Sequence, residues 1–238
     1  MNFKPIKSFS LMVSGAFACF TDPISKVERT SYPAPTAGSA EYLISRIYGH
    51  PCIRYRIDKI HILNPLKYCP MYVNERNDLG NVNMTTGEVT CIECDDALQR
   101  MITFLKDVKY VIEFTMFYDK DFYRREGRTL KSGENATKHI DILNRRIKNG
   151  QSEYLPCFGM GECVADFGPA PSEFTPCESI NMVYNSLYKI PHIDECTSTT
   201  AFTKVEIKKG TIDFSKCRIV VDKKVYTQDA FLNIEWRS

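Results

Sequence analysis

Three side chains in this sequence are of the right kind for phosphate chemistry. Lys138 and His139 are adjacent at the start of one helical pattern, and Tyr48 closes another. A helix N-terminus prefers negative charge, so a lysine in its first turn is locally out of place. A bound phosphate resolves the conflict, because the backbone amides, Lys138 and His139 would converge on one anion. Tyr48 lies about 100° round its helix from Ile47. It can point away from the core, beside a strand whose other face carries Arg54 and Arg56. The bland alternatives are a packing tyrosine and a solvated surface pair.

Other constellations are weaker. Cys91 and Cys94 form one CxxC, whereas structural zinc is usually held by two such pairs. The other close pair, Cys157 and Cys163, has a longer gap, so no metal site is expected. Asp95-Asp96 is an adjacent pair of carboxylates and reads as the cap of a helix start, which ranks a metal-dependent DNA nuclease last. The segment DKDFYRREGRTLKSGEN carries Arg124, Arg125, Arg128 and Lys131. It is a solvated loop or a flexible basic flap over a polyanion.

The elements that must position these groups follow from periodicity. Ala40, Leu43, Ile44 and Ile47 fall at i, i+3, i+4 and i+7 after a Thr36 cap, and Gly49 and Pro51 stop that helix. Ile53, Tyr55 and Ile57 alternate with arginines as a strand, with the Asp58-Lys59 pair marking a bulge before Ile60 and Ile62. Phe9, Leu11 and Val13 alternate as a first strand, not a removed leader. VKYVIEFTMFY, residues 108–118, fits a central strand. Asn135 caps a second helix with Ile140, Leu143 and Ile147 inward and Gly150 as its stop. Residues 64–100 read as a long connection with a mobile tip. Gly159 and Gly161 suggest a bulge or a close approach of backbone to a ligand. Met182–Ile190 reads as a strand, and Lys209-Gly210 turns a hairpin between Val205-Ile207 and Ile212-Phe214.

Bulk properties exclude little. At 238 residues the chain supports one sizeable core, and a formal charge of +2 demands no nucleic-acid partner by itself. Ten cysteines within apolar patterns fit reduced thiols in a cytoplasmic protein. No run reaches transmembrane length, so no membrane partner is expected. The order strand, helix, strand, connection, strand, helix, strand is compatible with an α+β, ferredoxin-like (RRM-like) unit, an antiparallel sheet with two helices. The expected division is a ferredoxin-like domain over 1–172 and a small C-terminal β region over 173–238.

The segments FACFTDPISKVERTSYPAPT, SRIYGHP and YRIDKIHILNP, then LKDVKYVIEF, TKHIDILNRRIKNG and LPCFGMGECVADF, occur in that order. Together they resemble CRISPR-associated proteins of Cas family 5, subtype I-C (Dvulg), members of the RAMP group. The resemblance implies a CRISPR repeat RNA endoribonuclease that cuts at the base of the repeat hairpin without a metal or other cofactor. It implies retention on the crRNA 5′ handle within Cascade, beside backbone and large subunits. The family's catalytic tyrosine falls on Tyr48 and its catalytic Lys-His pair on Lys138 and His139. Where many relatives carry a bulky aromatic, this chain has Gly49. Arg29, Arg46, Arg54 and Arg56, with Arg124 and Arg125, are the candidate RNA contacts, although Arg54 and Arg56 also fit a salt-bridged sheet face. The alternative is a handle-binding Cascade subunit that does not cut.

Side-chain chemistry agrees with the implied reaction. RNA cleaves itself when its 2′-hydroxyl is deprotonated and aligned with the neighbouring phosphorus, leaving a 2′,3′-cyclic phosphate and a 5′-hydroxyl. Side chains can move the protons and neutralise the phosphorane. An imidazole such as that of His139 titrates near neutrality, and a lysine such as Lys138 suits the developing charge. A phenol, with an ordinary pKa of about 10, is a better positioning donor than a base.

Overall fold

A computed structural model describes residues 3–25, 27–76, 86, 97–125, 135–191, 198–217, 219–221 and 224–226. The fold is a curled antiparallel sheet with helices packed on it. Its centre is β5 (Ala97–Asp119), flanked on one side by β1 (Phe3–Ala18) and on the other by β3 (Ile53–Ile62). The short β6 (Asp166–Pro169) adds to the far edge of β1. All three pairings are antiparallel, giving the order β3-β5-β1-β6. The helix α1 (Ala37–Ile47) connects β1 to β3, with the short β2 (Arg29–Thr30) on the way, and α3 (Ala136–Asn149) connects β5 to β6.

Register fixes which side chains share a face. Phe9 opposes Phe114 and Leu11 opposes Ile112, while Ile57 opposes Phe114 and Tyr55 opposes Met116. These residues form one apolar core with Leu43, Ile44 and Ile47 of α1 and Leu143 and Ile147 of α3. The opposite face is polar. Arg56 Nε donates to Asp58 Oδ1 at 2.8 Å, and Thr115 Oγ1 donates to Asp58 Oδ2 at 2.6 Å. His61 Nε2 meets Glu113 Oε1 at 3.2 Å. The expected bulge is present, with register shifting between Ile57 and Lys59.

Both helix starts follow the expected chemistry. Thr36 Oγ1 accepts from the Ser39 amide at 3.1 Å, and Asn135 Oδ1 accepts from the Lys138 amide at 2.9 Å. Gly150, at φ 63°, closes α3. The buried stripe of α3 is rotated from the expected one: His139, Leu143 and Ile147 are inward, and Ile140 is half-buried.

Two expectations need correction. The connection after β3 is partly regular, because β4 (Tyr68–Arg76) pairs antiparallel with the first half of β5. Pro70 and exposed polar residues hide it in the sequence, and an edge strand tolerates both. Gly159 does mark a close approach, but to backbone: a Cβ there would lie 2.0 Å from the Cys19 carbonyl oxygen. The tip of the 64–100 connection, Cys91, Cys94, Asp95 and Asp96 lie outside the described residues.

The later strands join the same sheet. β7 (Met182–Pro191) pairs with β8 (Ser198–Lys208), and β9 (Thr211–Asp213) pairs with both β8 and β3. Lys209 and Gly210 turn the β8–β9 hairpin with φ of 48° and 68°, as expected. β10 (Ile219–Val221) and β11 (Lys224–Tyr226) follow at the end of the sheet. Among the described residues no helix is long and apolar enough to cross a membrane.

Candidate active site

Tyr48 and His139 come together at the end of the sheet where β3 begins and β5 ends. Tyr48 is the C-cap of α1, and its φ of −150° and ψ of 104° are extended. The helical 100° step therefore no longer sets its direction, and the side chain turns inward instead of away from the core. It is 6% exposed, and His139 is 1% exposed. Tyr48 Oη and His139 Nδ1 are 2.6 Å apart, a distance at which either can donate depending on the tautomer.

The tyrosine is held from every side. Its amide donates to the Ile44 carbonyl at 3.0 Å, and its carbonyl accepts from Tyr55 Oη at 2.7 Å. Burial raises the Tyr55 phenol well above its ordinary range, as does the neighbouring Tyr48, against a smaller pull from Arg146. Tyr55 is thus a fixed donor. The Arg146 guanidinium lies over the Tyr48 ring, 4.9 Å from its centroid, and donates to the Ile47 carbonyl at 2.6 Å. Gly49 is required where it stands, since a Cβ would sit 2.9 Å from the Ser45 carbonyl oxygen.

Lys138 does not share this enclosure. It precedes His139 by one residue, about 100° round the helix, and is exposed. Around His139 are two side chains that the sequence pattern did not bring together, Cys52 Sγ at 3.6 Å from Nε2 and the Tyr118 ring at 5.5 Å between centroids, and with them the His50 ring at 5.0 Å, which follows Gly49 in the sequence. Tyr123 Oη approaches His50 Nε2 at 3.4 Å. The only sequence signal for Arg146 was its place two turns after His139 on the same helix face.

The candidate RNA arginines are spread more widely. Arg46 donates from Nε to the Leu155 carbonyl at 2.6 Å and from Nη1 to Tyr42 Oη at 2.7 Å, fastening α1 to the chain after α3. Arg56 pairs with Asp58 and covers the Phe117 ring at 5.4 Å. Arg54 is half-buried; burial lowers its guanidinium, opposed by Glu41, Asp119 and Cys52. Arg29 lies on β2, half-buried. Arg124 and Arg125 end the short helix α2 (Phe122–Arg125), and their side chains lie outside the described residues, as do Arg128 and Lys131.

Residues 9–193 match the family model of CRISPR-associated protein (Cas_Cas5), Cas5d. The chain belongs to this family. It is 35% identical over 221 residues to the CRISPR pre-crRNA endoribonuclease Cas5d of Mannheimia succiniciproducens, covering 85% of this chain and 92% of that one. A second Cas5d, the CRISPR pre-crRNA endoribonuclease of Thermus thermophilus, is 33% identical over 161 residues, covering 68% of this chain and 63% of the relative. Among solved structures, a crystal structure of a CRISPR-associated protein superposes with a TM-score of 0.66 at 21% identity. It covers 95% of this chain and all of that one, a likeness of fold. The curled sheet and paired helices are thus the Cas5 fold.

Proposed function

We propose that this Cas5d-family chain is a pre-crRNA endoribonuclease that cuts CRISPR repeat RNA at the base of its hairpin and stays on the crRNA 5′ handle as a Cascade subunit. The carrying observation is the 2.6 Å contact of Tyr48 Oη with His139 Nδ1, in a chain whose curated relatives bear that activity in their names. In this reading His139 moves the 2′-hydroxyl proton through Nε2, with Tyr48 fixing the ring by its contact at Nδ1. Lys138, exposed on the first turn of α3, offsets charge on the phosphorane from the solvent side. The reaction needs no metal or cofactor. A buried Nε2 is reached only if side chains around it rearrange, His50 foremost, since its ring lies 5.0 Å from that of His139.

Residues 1–172 carry RNA and chemistry in this proposal, as a ferredoxin-like unit supported by the order β3-β5-β1-β6 with α1 and α3 at the crossovers. The described strands of the 173–238 region, β7 to β11, extend its sheet. Arg29, Arg46, Arg54, Arg56, Arg124 and Arg125 contact the RNA backbone, and Cascade backbone and large subunits are its protein partners in the cytoplasm.

The second reading is a handle-binding subunit that does not cut. It is favoured by the 1% exposure of His139 and by the outward position of Lys138. One assay separates the two. Wild type and His139→Ala are mixed with the repeat RNA of the same locus in EDTA. Cutting by the wild type alone, with a cyclic phosphate product and no cutting of a 2′-deoxy substrate, supports the nuclease. Tight binding without cutting by either supports the second reading.

A further inference from the structure

His50, Cys52 and His139 bring two imidazoles and a thiol to one point, with their ligand atoms all within 4.8 Å of one another. We propose that His50 Nδ1, Cys52 Sγ and His139 Nε2 form a zinc site, and that zinc bound there silences RNA cleavage by occupying the His139 imidazole. The silencing rests on the function proposed above; the binding does not.

The donor set is one that zinc favours. Thiolate and neutral imidazole are its usual ligands, and three protein ligands leave a fourth position for water. In a tetrahedral site with Zn–S of about 2.3 Å and Zn–N of about 2.0–2.1 Å, sulfur and nitrogen stand about 3.5 Å apart. Cys52 Sγ lies 3.6 Å from His139 Nε2 and 3.0 Å from His50 Nδ1. A shift of about half an ångström on the His50 side brings both to the tetrahedral spacing.

The surroundings also match a metal site. A ligating imidazole usually hands its other ring nitrogen to an oxygen, which fixes tautomer and orientation. Here both do so, each to a tyrosine. His139 Nδ1 meets Tyr48 Oη at 2.6 Å, and His50 Nε2 meets Tyr123 Oη at 3.4 Å. The Cys52 amide donates to His50 Nδ1 at 3.4 Å, a long bond that marks this nitrogen as unprotonated and that zinc would replace. The chain places the first two ligands by a single turn: His50 and Cys52 flank Pro51 between α1 and β3. Cys52 and His139 are buried and His50 is half-buried, so His50 is the ligand nearest solvent. Binding releases the Cys52 thiol proton to solvent and leaves a neutral imidazole on each side of the metal.

The test uses untagged full-length protein with Cys91→Ser and Cys94→Ser, which removes the CxxC pair. Cobalt(II) is titrated first as a spectroscopic stand-in. One equivalent is expected to give a near-ultraviolet thiolate-to-cobalt band with visible bands of tetrahedral intensity, and zinc should bleach both. Cys52→Ser should lose the near-ultraviolet band and weaken zinc at least tenfold in competition with a chromophoric chelator. His50→Gln, at a half-buried position, should weaken zinc comparably and guards against a folding defect at Cys52. No band, or a band that persists in Cys52→Ser, overturns the site. In the cleavage arm, one equivalent of zinc should stop cutting by the parent, EDTA should restore it, and Cys52→Ser should be indifferent to that zinc. Cutting that continues in a cobalt-competent, zinc-loaded protein overturns the silencing. Absence of cutting even in EDTA overturns the nuclease reading and with it the silencing, while the cobalt spectrum still decides the site.

Discussion

Tyr48 Oη and His139 Nδ1 meet at 2.6 Å across 91 residues of sequence, joining the end of α1 to the first turn of α3. A phenol that touches Nδ1 can set which nitrogen of the ring faces substrate. Tyr48→Phe keeps the ring beneath Arg146 and removes this contact. Cleavage of repeat RNA is expected to fall by roughly 10- to 100-fold, with RNA affinity within a few-fold of wild type. Single-turnover rates and a filter-binding titration separate the two quantities. Equal loss of both would move Tyr48 from chemistry to RNA contact.

Arg146 acts one step further out, as a positioning residue. Its guanidinium covers the Tyr48 ring, donates to the Ile47 carbonyl and reaches Glu153 Oε2 at 3.3 Å. Arg146→Met keeps a long apolar side chain and loses all three. The expected result is a several-fold lower single-turnover rate with unchanged RNA affinity. Arg146→Lys should recover little, because a point charge cannot both stack and fork. A change in affinity alone would instead make Arg146 an RNA contact.

Much of this architecture was legible in local pattern. Ala40, Leu43, Ile44 and Ile47 are all buried, Thr36 and Asn135 cap their helices, and Lys209-Gly210 turns its hairpin. Each of these depends on residues within a few positions of one another. The site was legible only in part. Tyr48 leaves the helical geometry at the cap, so periodicity misdirected it. The closeness of Cys52 to His139, 87 residues apart, exists only because β3 pairs with the end of β5 and α3 returns over it. Arg146 looked like any surface arginine, because its stacking partner is on another helix.

Glu41 gives the fold a pH dependence of its own. Burial pushes its carboxyl up from an ordinary 4.5 to about 7, against a smaller downward pull from Arg54. The folded chain therefore binds this proton more tightly than the unfolded one. The stabilisation is fully present below about 4.5 and is lost as pH rises through about 7. Glu41→Gln imitates the protonated form at every pH. It should be more stable than wild type at pH 8, by at most about 3 kcal/mol, and indistinguishable near pH 4. Urea unfolding at the two pH values checks this; an advantage that does not grow with pH would mean that Glu41 ionises freely in the folded chain.

Two glycines should respond to alanine in opposite directions. Gly38 lies inside α1, and a methyl group placed on its Cα would meet nothing within 4 Å, so alanine there adds helix propensity without a clash. Gly38→Ala is expected to stabilise by about 0.5–1 kcal/mol. Gly159 sits at φ 83°, where a Cβ would lie 2.0 Å from the Cys19 carbonyl oxygen and 3.3 Å from Phe20 Cα. The obstacle is backbone, tied at that point by the Cys19 amide donating to the Phe158 carbonyl at 3.0 Å. Neither partner can yield without breaking that bond or opening the core around Phe158, which is fully buried. Gly159→Ala should therefore cost roughly 3 kcal/mol or more, combining left-handed strain with overpacking. Denaturant midpoints for the two variants should bracket the wild type, and a Gly159→Ala midpoint at or above wild type would mean that the strand end and the 158–163 turn are not in contact.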